Sequence, residues 1–432
     1  MATARDNELL TRVGPGTPMG ELMRRYWIPA VKSSELAAGG APLRVMLLCE
    51  QLIAFRDHDG NVGIMDHRCP HRCASLFYGR NEKGGLRCAY HGWQFDASGQ
   101  CTDMANVPPH QDFKHRVKAK AYRTAERCGM IWVYMGAGEP PDLPPIEATL
   151  VAQEQVNHNM IQRHCNWLQA LEGDIDTSHV DFLHGGLRTA EVYSKDDPRR
   201  FGAMHRAPEY EIQETDWGAM YGAYRPAEEN ETYWRIGQFM FPFWTITPSG
   251  PFGQHIYARA WVPMDDTHTM ITGFVKKSGV VNSPGGPSMG LVLGFDDREP
   301  NDSSWFGRFR PRTNPDNDYF IDRDAQQSKS YSGITGITQQ DQMATESMGP
   351  ITDRTFEHLA PSDRMIVVTR RRLLSAVNAL AEQSATPPAS SPPEPYRNVR
   401  GGYFIAPKGT KLVDAYNRQI EATKHTRVES SN

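Results

Sequence analysis

The chain has 432 residues, of which 39% are hydrophobic, and this length leaves room for two or three domains with real cores. Its formal net charge of −4 gives no indication of binding to nucleic acid or to an anionic membrane surface. No apolar stretch approaches the ~18 residues that span a bilayer, and the first residues lack the apolar core of a secretory signal. The seven cysteines show no disulfide-framework spacing, so we expect a cytoplasmic protein.

The first 140 residues are predicted to form a short helical segment followed by a small β domain. Thr17-Pro18 is typical of a helix start, with a capping side chain and proline at the first helical position. We assign residues 1–34 to this helical segment and residues 35–140 to an antiparallel β domain, which ends at a proline-rich boundary. β-Branched and aromatic residues predict its strands over Leu43–Cys49, Gln51–Arg56 and Met130–Tyr134.

Two short loops in this β domain each contain one cysteine and one histidine. Cys69 and His71 flank a single proline, and Cys88 and His91 follow after sixteen residues. Two thiolates and two imidazoles are the ligands of a Rieske-type [2Fe–2S] cluster, which accepts and passes single electrons. A structural zinc site is the alternative, but zinc modules usually pair Cys with Cys and His with His. The mixed loops therefore favour the cluster.

Residues 141–385 combine helices with long strands separated by short polar or Gly/Pro turns. Helical patterns cover Asn166–Leu183, Thr338–Met348 and Ser362–Glu382. Strands are predicted over Tyr210–Glu214, Ala219–Arg225, Tyr233–Phe241, His255–Pro263 and Thr269–Val275. This order predicts an α+β domain with a curved antiparallel sheet covered by helices. The loop-rich stretch Ser278–Asp324 is a candidate lid or subunit contact.

Residues 386–432 are predicted to be a connector followed by a terminal helix. The segment Thr386–Pro395 is rich in proline and serine, a composition that predicts little packing. Beyond it, apolar residues at helical spacing predict a helix over Lys411–Lys424.

His179 and His184 form a second candidate metal site within the helical pattern Asn166–Leu183. They lie five residues apart, about 500° of helical rotation, so a slightly distorted helix brings both imidazoles to one side. With one carboxylate they would form the facial triad of a mononuclear Fe(II) oxygenase. Such a pair alone also fits surface or core histidines. The one-electron donor predicted in the same chain favours the iron site, because that donor needs an acceptor.

Both motifs together resemble the catalytic α subunit of the Rieske non-haem iron aromatic-ring oxygenases. The pattern is C-x-H-x16-C-x2-H followed by D-x2-H-x4-H. The segments Gly14–Met23 and Gln340–Arg354 are similar to the branch that includes phthalate and chlorobenzoate dioxygenases and some aryl O-demethylases. The resemblance covers nearly the whole chain. It implies a helix-grip-like catalytic domain, O₂ as co-substrate, NADH electrons delivered by a separate flavin or iron–sulfur reductase, and a homotrimer or a hexamer of stacked trimers.

The resemblance also implies a third iron ligand, a carboxylate downstream of the two histidines. We select Asp341, because on a helix it shares a stripe with Ile337, Ala344 and Met348, and an unpaired acid on an apolar face would be costly to bury. The alternatives are Asp353 and Asp363, which the pattern also explains as helix-start or ion-pair residues.

Asp176 matches the family's bridging acid, the first residue of D-x2-H. The resemblance implies that it links His179 to His91 of a neighbouring subunit, so that electrons cross between chains. A carboxylate that accepts from imidazole N–H groups fixes their orientation and tunes their basicity. Glu172, four residues earlier, stands where several ring dioxygenases have Asn, and its role stays open.

The activity implied by the resemblance is cis-dihydroxylation of an aromatic carboxylate such as a phthalate or a (chloro)benzoate. A buried carboxylate requires a cation, and we favour Arg206 and then Arg235 over Arg225. An aromatic pocket is a further expectation, formed by Phe182, Phe239, Phe241, Phe243 and Trp244. Two alternatives remain: an O-demethylating monooxygenase of a methoxylated aryl acid, and a Rieske electron-transfer protein without oxygenase activity.

Overall fold

The computed structural model describes residues 2–186, 189–277 and 295–428. Its α-helices are α1 (Ala4–Thr11), α2 (Pro18–Met23), α3 (Trp167–Ile175), α4 (Arg200–Met204), α5 (Arg323–Ser328), α6 (Ile337–Glu346), α7 (Arg364–Gln383) and α8 (Leu412–Ala422). Its strands are β1 (Trp27–Lys32), β2 (Leu43–Leu47), β3 (Glu50–Arg56), β4 (Val62–Asp66), β5 (Arg80–Glu82), β6 (Gly85–Arg87), β7 (Trp93–Phe95), β8 (Cys101–Met104), β9 (Ala121–Arg127), β10 (Met130–Tyr134), β11 (Val156–Arg163), β12 (Glu209–Thr215), β13 (Gly218–Pro226), β14 (Glu231–Met240), β15 (Trp244–Ile246), β16 (Tyr257–Pro263), β17 (Thr269–Lys276) and β18 (Gly402–Pro407). Within these ranges, no helix has both the length and the apolar character required to cross a bilayer.

The N-terminal β domain contains two antiparallel sheets. One has the order β1-β10-β9-β4-β3-β2, and the other has the order β5-β6-β7-β8. The smaller sheet has its own apolar core, in which Trp93 and Phe95 of β7 pack with Leu86 of β6. The loop from β4 to β5 contains Cys69 and His71, and the tight β6–β7 connection contains Cys88 and His91. The four predicted cluster ligands therefore lie on two neighbouring loops of one small, rigid sheet.

The catalytic domain is built on a long antiparallel sheet with the order β11-β17-β16-β15-β14-β13-β12. The predicted α+β fold is confirmed, and the five strands predicted here lie within two residues of the observed bounds. Helix α3 packs on β14, β15 and β16, and α7 packs on β12 and β13. The sequence pattern gives no indication of β11, β15 or β18, because these strands are polar, very short or isolated after the proline-rich segment.

The C-terminal segment belongs to this sheet. Strand β18 pairs with the first half of β14, and Tyr403 lies opposite Arg235. The prediction that Thr386–Pro395 does not pack is wrong: Tyr26 Oη donates to the Pro388 carbonyl at 2.7 Å, and Ser390 is buried. Prolines present flat apolar surfaces and free carbonyls, so an extended proline-rich segment can cover a core.

The loop-rich stretch Ser278–Asp324 is described only in part. Residues 278–294 lie outside the described ranges, so the prediction of a lid there has no structural counterpart. The remainder packs between the domains, where Arg308 forms an ion pair with Glu35 of the N-terminal part and its side chain is almost fully buried. This half of the stretch is a domain contact within the chain.

Candidate metal centres and substrate pocket

Each loop of the predicted cluster site is closed by its own backbone hydrogen bonds. The Cys69 N–H donates to the Ala74 carbonyl at 2.8 Å. The Cys73 N–H donates to the Cys69 carbonyl, also at 2.8 Å. In the second loop Cys88 N–H donates to the Trp93 carbonyl at 2.8 Å. Gly92 has a φ of +77°, a left-handed conformation that glycine adopts without strain. The loops are therefore held in shape by the backbone before any metal binds.

The four side chains are arranged as a cysteine pair and a histidine pair. Cys69 and Cys88 are buried and their thiols are neighbours, whereas His71 and His91 are half-buried with ring centroids 4.4 Å apart. A single tetrahedral zinc would hold all four ligand atoms within about 4 Å of one another. The pairing of thiol with thiol and imidazole with imidazole fits two irons with different ligands.

The environment of the thiols and imidazoles suits a bound metal. Burial, together with the neighbouring Cys88, raises the pKa of the Cys69 thiol to about 12. Burial and the adjacent His91 lower the pKa of His71 below its ordinary value. A metal stabilises both the thiolate and the neutral imidazole, so bound iron removes the cost of deprotonating Cys69. Trp93 stacks on His71 at 4.4 Å and limits its rotation.

The second site forms where helix α3 ends and the backbone then forms a new helical turn. Asn166 caps α3, and the helix ends at Ile175, so the predicted continuous helix over Asn166–Leu183 is wrong in its second half. Asp176 has extended backbone angles, and a π-helical turn follows over Val180–His184. The wider π turn brings residues five apart nearly into line, which a regular α-helix does not do. This distortion places His179 and His184 on one side.

Three side chains converge at this turn. The Nε2 atoms of His179 and His184 lie 3.2 Å apart, and Asp341 Oδ1 lies 3.0 Å from His184 Nε2 and 3.6 Å from His179 Nε2. Among the described residues, these two histidines and one aspartate form a group whose ligand atoms all lie within 4.8 Å of one another. Two imidazoles and one carboxylate fit a facial triad for iron(II) with open positions.

Asp341 reaches this position for a reason that differs from the predicted one. Its stripe on α6 is half-buried rather than apolar and buried, and Met348 lies beyond the helix end with 52% of its surface exposed. The buried face of α6 is polar instead, formed by Thr338, Gln339, Gln340, Gln342, Thr345 and Glu346. The side chain of Asp341 is 28% exposed and points towards the histidines. The two histidines hold its pKa below the ordinary value although burial opposes this.

Two neighbours orient the histidines. Asp176 Oδ2 lies 3.4 Å from His179 Nδ1, and its other oxygen accepts from Ser178 N–H and Oγ at 2.7 Å. Gln340 Oε1 lies 2.7 Å from His184 Nδ1. In both cases the Nδ1 side is occupied, which directs Nε2 towards the site. Sequence analysis predicts the role of Asp176 near His179 but misses Gln340, whose only signal is its position next to Asp341.

The alternative acids and Glu172 have other roles. Asp353 accepts from Thr355, and Asp363 accepts from the Ala360 backbone, so each holds a local turn. Glu172 is buried and accepts from Arg354 and from Arg370, the latter through both carboxylate oxygens. These arginines outweigh burial and hold the pKa of Glu172 below its ordinary value. Glu172 is therefore a structural anion between α3 and α7.

The sheet presents polar side chains towards α3 and the π turn. Thr245 of β15 donates its hydroxyl to Asp174 of α3, so its side chain lies on the sheet face that α3 covers. Phe239 of β14 lies opposite Thr245 in register, and every second residue of β14 from Phe239 therefore points to the same face. Arg235 lies on the same face and is half-buried, with Nε buried and without a hydrogen-bonding partner among the described residues. Arg235 interacts electrostatically with Asp181, but the carboxylate of Asp181 already accepts a hydrogen bond from Arg225.

Arg206 is not on a strand of this sheet but lies beside two aromatic rings, and its charge also acts on Asp181. Its guanidinium carbon is 5.5 Å from the Phe182 ring and 5.9 Å from the Tyr331 ring. These two rings help to line an open cavity of ≈ 540 Å³ on the side of the π turn next to Leu183. The predicted aromatic pocket does not form as a unit. Phe241, Phe243 and Trp244 are fully buried core residues, and Trp244 stacks on Trp132 of β10 at 5.8 Å.

Comparison with known families divides the chain into two matches. Residues 26–118 match the Rieske [2Fe-2S] domain, and residues 133–432 match the LigXa C-terminal domain like family. The first match contains the four predicted cluster ligands, and the second contains the three side chains of the π-turn site.

Curated relatives align over most of their own length. The 3-chlorobenzoate-3,4-dioxygenase oxygenase subunit of Comamonas testosteroni is 48% identical, over 98% of this chain and 99% of the relative. The phthalate 4,5-dioxygenase oxygenase subunit of Pseudomonas putida is 37% identical, over 88% and 87%. The 5,5'-dehydrodivanillate O-demethylase oxygenase subunit of Sphingobium is 34% identical, over 87% and 80%.

A solved structure shows the same fold. Dicamba monooxygenase bound to dicamba superposes with a TM-score of 0.56 and 18% identity, over 84% of this chain and 99% of the other.

Proposed function

Because the chain belongs to the Rieske non-haem iron aromatic-ring oxygenases, as a catalytic α subunit, we propose that it dihydroxylates an aromatic carboxylate. The proposed substrates are a benzoate or a phthalate, in line with the names of two relatives. The observation that carries this proposal is Arg235, a cation with a buried, unpartnered Nε on the sheet face that covers the π turn.

The protein carries a Rieske cluster and a mononuclear iron, and we assign their ligands to this chain's residues. Cys69 and Cys88 would hold one cluster iron, and His71 and His91 the other. The triad His179, His184 and Asp341 would hold the mononuclear iron. When bound, the cluster supplies single electrons and the mononuclear iron supplies the position at which O₂ is reduced.

The protein side chains would contribute orientation and selectivity. Asp176 and Gln340 hold the two imidazoles with Nε2 towards the triad. Arg235 supplies a positive charge for a carboxylate, and its planar guanidinium can bind both carboxylate oxygens. Ala223, a small residue, lies directly opposite Arg235 on β13. This geometry would hold the ring near the metal and the acid group away from it.

We propose that electrons cross between subunits of a trimer, or of two stacked trimers. In this arrangement Asp176 would accept from His91 of the partner subunit as well as from His179 of its own chain. The side chain of Asp176 is partly exposed, which leaves room for a second contact. A separate reductase would pass electrons from NADH to the cluster.

Product analysis tests the activity. The purified oxygenase is incubated without oxygen with benzoate, 3-chlorobenzoate or phthalate, and O₂ and a reductase with NADH are then added. We expect a product heavier by two oxygen and two hydrogen atoms, which is the mass of a cis-dihydrodiol. Recovery of unchanged acids, with the cluster reduced and reoxidised normally, would contradict the proposed substrate class.

A second candidate is supported by the O-demethylase relative. The same metal sites could hydroxylate an O-methyl group of a methoxylated aryl acid, which would release formaldehyde and a phenol. A formaldehyde assay with methoxybenzoates separates the two activities. Metal analysis addresses the third possibility: an electron-transfer protein would contain two irons per chain, whereas an oxygenase would contain three.

A further inference from the structure

The strand pair β13–β14 contains an unusual contact between a tyrosine and a glycine. Tyr221 and Gly237 lie directly opposite each other in register. A Cβ built on Gly237 would lie 2.5 Å from Cε1 and 2.6 Å from Oη of Tyr221. The phenol ring therefore lies across Gly237, along the sheet surface, rather than standing away from it. Only glycine leaves space for this orientation.

Because the ring lies across Gly237, the hydroxyl of Tyr221 lies in a buried polar region. Tyr221 is 1% exposed, and its Oη makes no hydrogen bond of normal length and angle among the described residues. Thr177, which lies between the bridging acid Asp176 and His179 in sequence, also has a buried hydroxyl without a hydrogen bond of normal geometry among the described residues, and this hydroxyl lies close enough to that of Tyr221 to interact with it. Burial raises the pKa of Tyr221, and Arg235 is the charge that counteracts this most, which shows that the two side chains are neighbours.

A buried hydroxyl without a partner is costly, so a partner is expected from outside the described residues. Desolvating such a group costs about 1–3 kcal/mol when no hydrogen bond replaces water. Arg235 Nε, on the same face of the sheet, is also buried without a hydrogen-bonding partner among the described residues. A neutral donor and a cationic donor, both unpartnered and adjacent, together match one carboxylate, which accepts several hydrogen bonds.

We propose that Tyr221 is a specificity-determining residue whose hydroxyl donates a hydrogen bond to the substrate carboxylate beside Arg235, and that Gly237 is required to hold the phenol in place. This inference rests on the proposed function. It assigns the carboxylate two donors on adjacent strands, so the acid group would be fixed in direction as well as in position. The direction of the acid group sets which ring carbons face the metal triad.

Two other tyrosines on this face are less suited to the role. Tyr233 lies two residues from Arg235 on β14, and its Oη is also buried without a partner among the described residues. Its ring, however, packs between Tyr403 and Phe201 instead of crossing a glycine. Tyr210 is only half-buried and its pKa responds to Asp176, which places it beside the bridging acid. Tyr221 alone among the three combines full burial with a ring that crosses a glycine.

Substitution of Tyr221→Phe removes the hydroxyl and keeps the ring. The matched control is Tyr224→Phe on the same strand, because Tyr224 faces the opposite side and donates to Glu209 at 2.8 Å. Binding of 3-chlorobenzoate to iron-depleted protein is measured by calorimetry. We expect Tyr221→Phe to weaken binding by about 10- to 100-fold, as for a hydrogen bond to a charged group, and Tyr224→Phe to leave it unchanged.

A second readout separates orientation from simple structural support. In the iron-loaded enzyme we expect Tyr221→Phe to change the ratio of regioisomeric products from 3-chlorobenzoate, because the acid group would be held by Arg235 alone. A structural role would lower the yield of folded protein without changing this ratio. An unchanged affinity together with an unchanged ratio would overturn the proposal.

A double-mutant cycle tests the contribution of Gly237. Gly237→Ala should weaken binding at least as much as Tyr221→Phe, because the new methyl group displaces the phenol. In a Tyr221→Ala background the collision is absent, so Gly237→Ala should have little further effect. Equal penalties in both backgrounds would overturn the role of Gly237.

The outcomes also distinguish this inference from the function on which it rests. If wild-type protein binds and oxidises no aryl acid, the proposed function fails and the role of Tyr221 fails with it. If wild-type protein binds 3-chlorobenzoate and Tyr221→Phe behaves as wild type, only the role of Tyr221 is overturned.

Discussion

At His184, ring orientation depends on an uncharged neighbour. Gln340 Oε1 accepts from the Nδ1 side at 2.7 Å, and Gln340 Nε2 donates to the Ile334 carbonyl at 2.8 Å. The amide is thus held from both ends, and the imidazole presents Nε2 to Asp341. His179 is oriented differently, by the carboxylate of Asp176. The two imidazoles of one site therefore have a neutral and an anionic support.

The first prediction concerns Gln340. Gln340→Leu removes the acceptor for His184 Nδ1 and should lower the affinity for the mononuclear iron by about 10- to 100-fold, the usual effect of losing such a support. Iron titration of the metal-depleted protein measures this affinity. The visible spectrum of the Rieske cluster serves as the internal control, because Gln340 lies in the other domain. Undiminished iron affinity would contradict the role of Gln340.

The second prediction compares the two candidate arginines. Arg235→Met should weaken binding of a benzoate by about 2–5 kcal/mol, because the carboxylate would be buried without a cation. Arg206→Met should have a smaller effect, since Arg206 lies at the aromatic rim and not on the sheet face. Arg235→Lys keeps the charge and should be intermediate. A larger loss in Arg206→Met than in Arg235→Met would reverse the assignment.

At the scale of elements, α3 and α7 are joined by a buried ionic network. Glu172 of α3 binds Arg370 of α7 and Arg354 of the preceding loop, and Arg370 also binds Glu357. Buried ions are tolerated when each has partners, and removing one partner leaves an uncompensated charge. Because α3 leads directly into the π turn, this network also fixes where the metal triad begins.

The third prediction concerns this network. Glu172→Gln should lower the free energy of unfolding by about 3–5 kcal/mol at pH 7, because buried Arg354 loses its anion and Arg370 keeps only Glu357. The pKa of Glu172 is lower in the folded protein than in the unfolded chain, so its stabilisation is complete above the unfolded pKa of about 4.3. It is lost as the pH falls through the folded pKa.

Urea titrations at several pH values measure the effect. The difference between wild type and Glu172→Gln should therefore narrow in acid. Glu382→Gln is the matched control, since Glu382 is exposed near the end of α7. A difference that stayed constant from pH 7 down to the acid range would be inconsistent with ionised Glu172 as the source of stability.

At the scale of the whole molecule, the two domains share one core. Trp132 of the β domain stacks on Trp244 and Phe274 of the catalytic sheet. Buried ion pairs also cross between segments distant in sequence, Arg308 with Glu35 and Arg400 with Glu147. The β domain is therefore held firmly against the catalytic domain. Such rigidity would suit the proposed electron path, which requires a fixed contact with a neighbouring subunit.

The fourth prediction tests this path. A His91→Ala chain should lack the cluster, and an Asp341→Asn chain should lack the mononuclear iron, so each alone should be inactive. Mixed trimers, isolated with two affinity tags after co-expression, should recover about a third of wild-type turnover, since a productive contact needs both chains in a fixed order and one of the three contacts around the ring has it. Inactive mixtures that contain both metals would show that electrons stay within one chain.

Much of this architecture could be predicted because it depends on local patterns. Strands such as Tyr257–Pro263 and Thr269–Lys276 have continuous apolar, β-branched sequences, and their pattern predicts them to within two residues. The end of α3 at Ile175 was harder to predict, since the π turn that follows has no distinct amino-acid composition. β18 could not be predicted at all, because its stability comes from pairing with β14, more than 160 residues away.

The sequence by itself determined the kinds of ligand and their grouping, because a thiolate–imidazole loop or a spaced histidine pair is a property of a few neighbouring residues. Only the tertiary structure decided which acid joins the histidines, which amide supports His184 and which arginine lies on the sheet face towards the π turn. Asp341 and Gln340 lie on α6, Arg235 lies on β14, and the two histidines lie at the π turn after α3. Their meeting depends on strand register and helix packing, which arise from the fold of the whole chain.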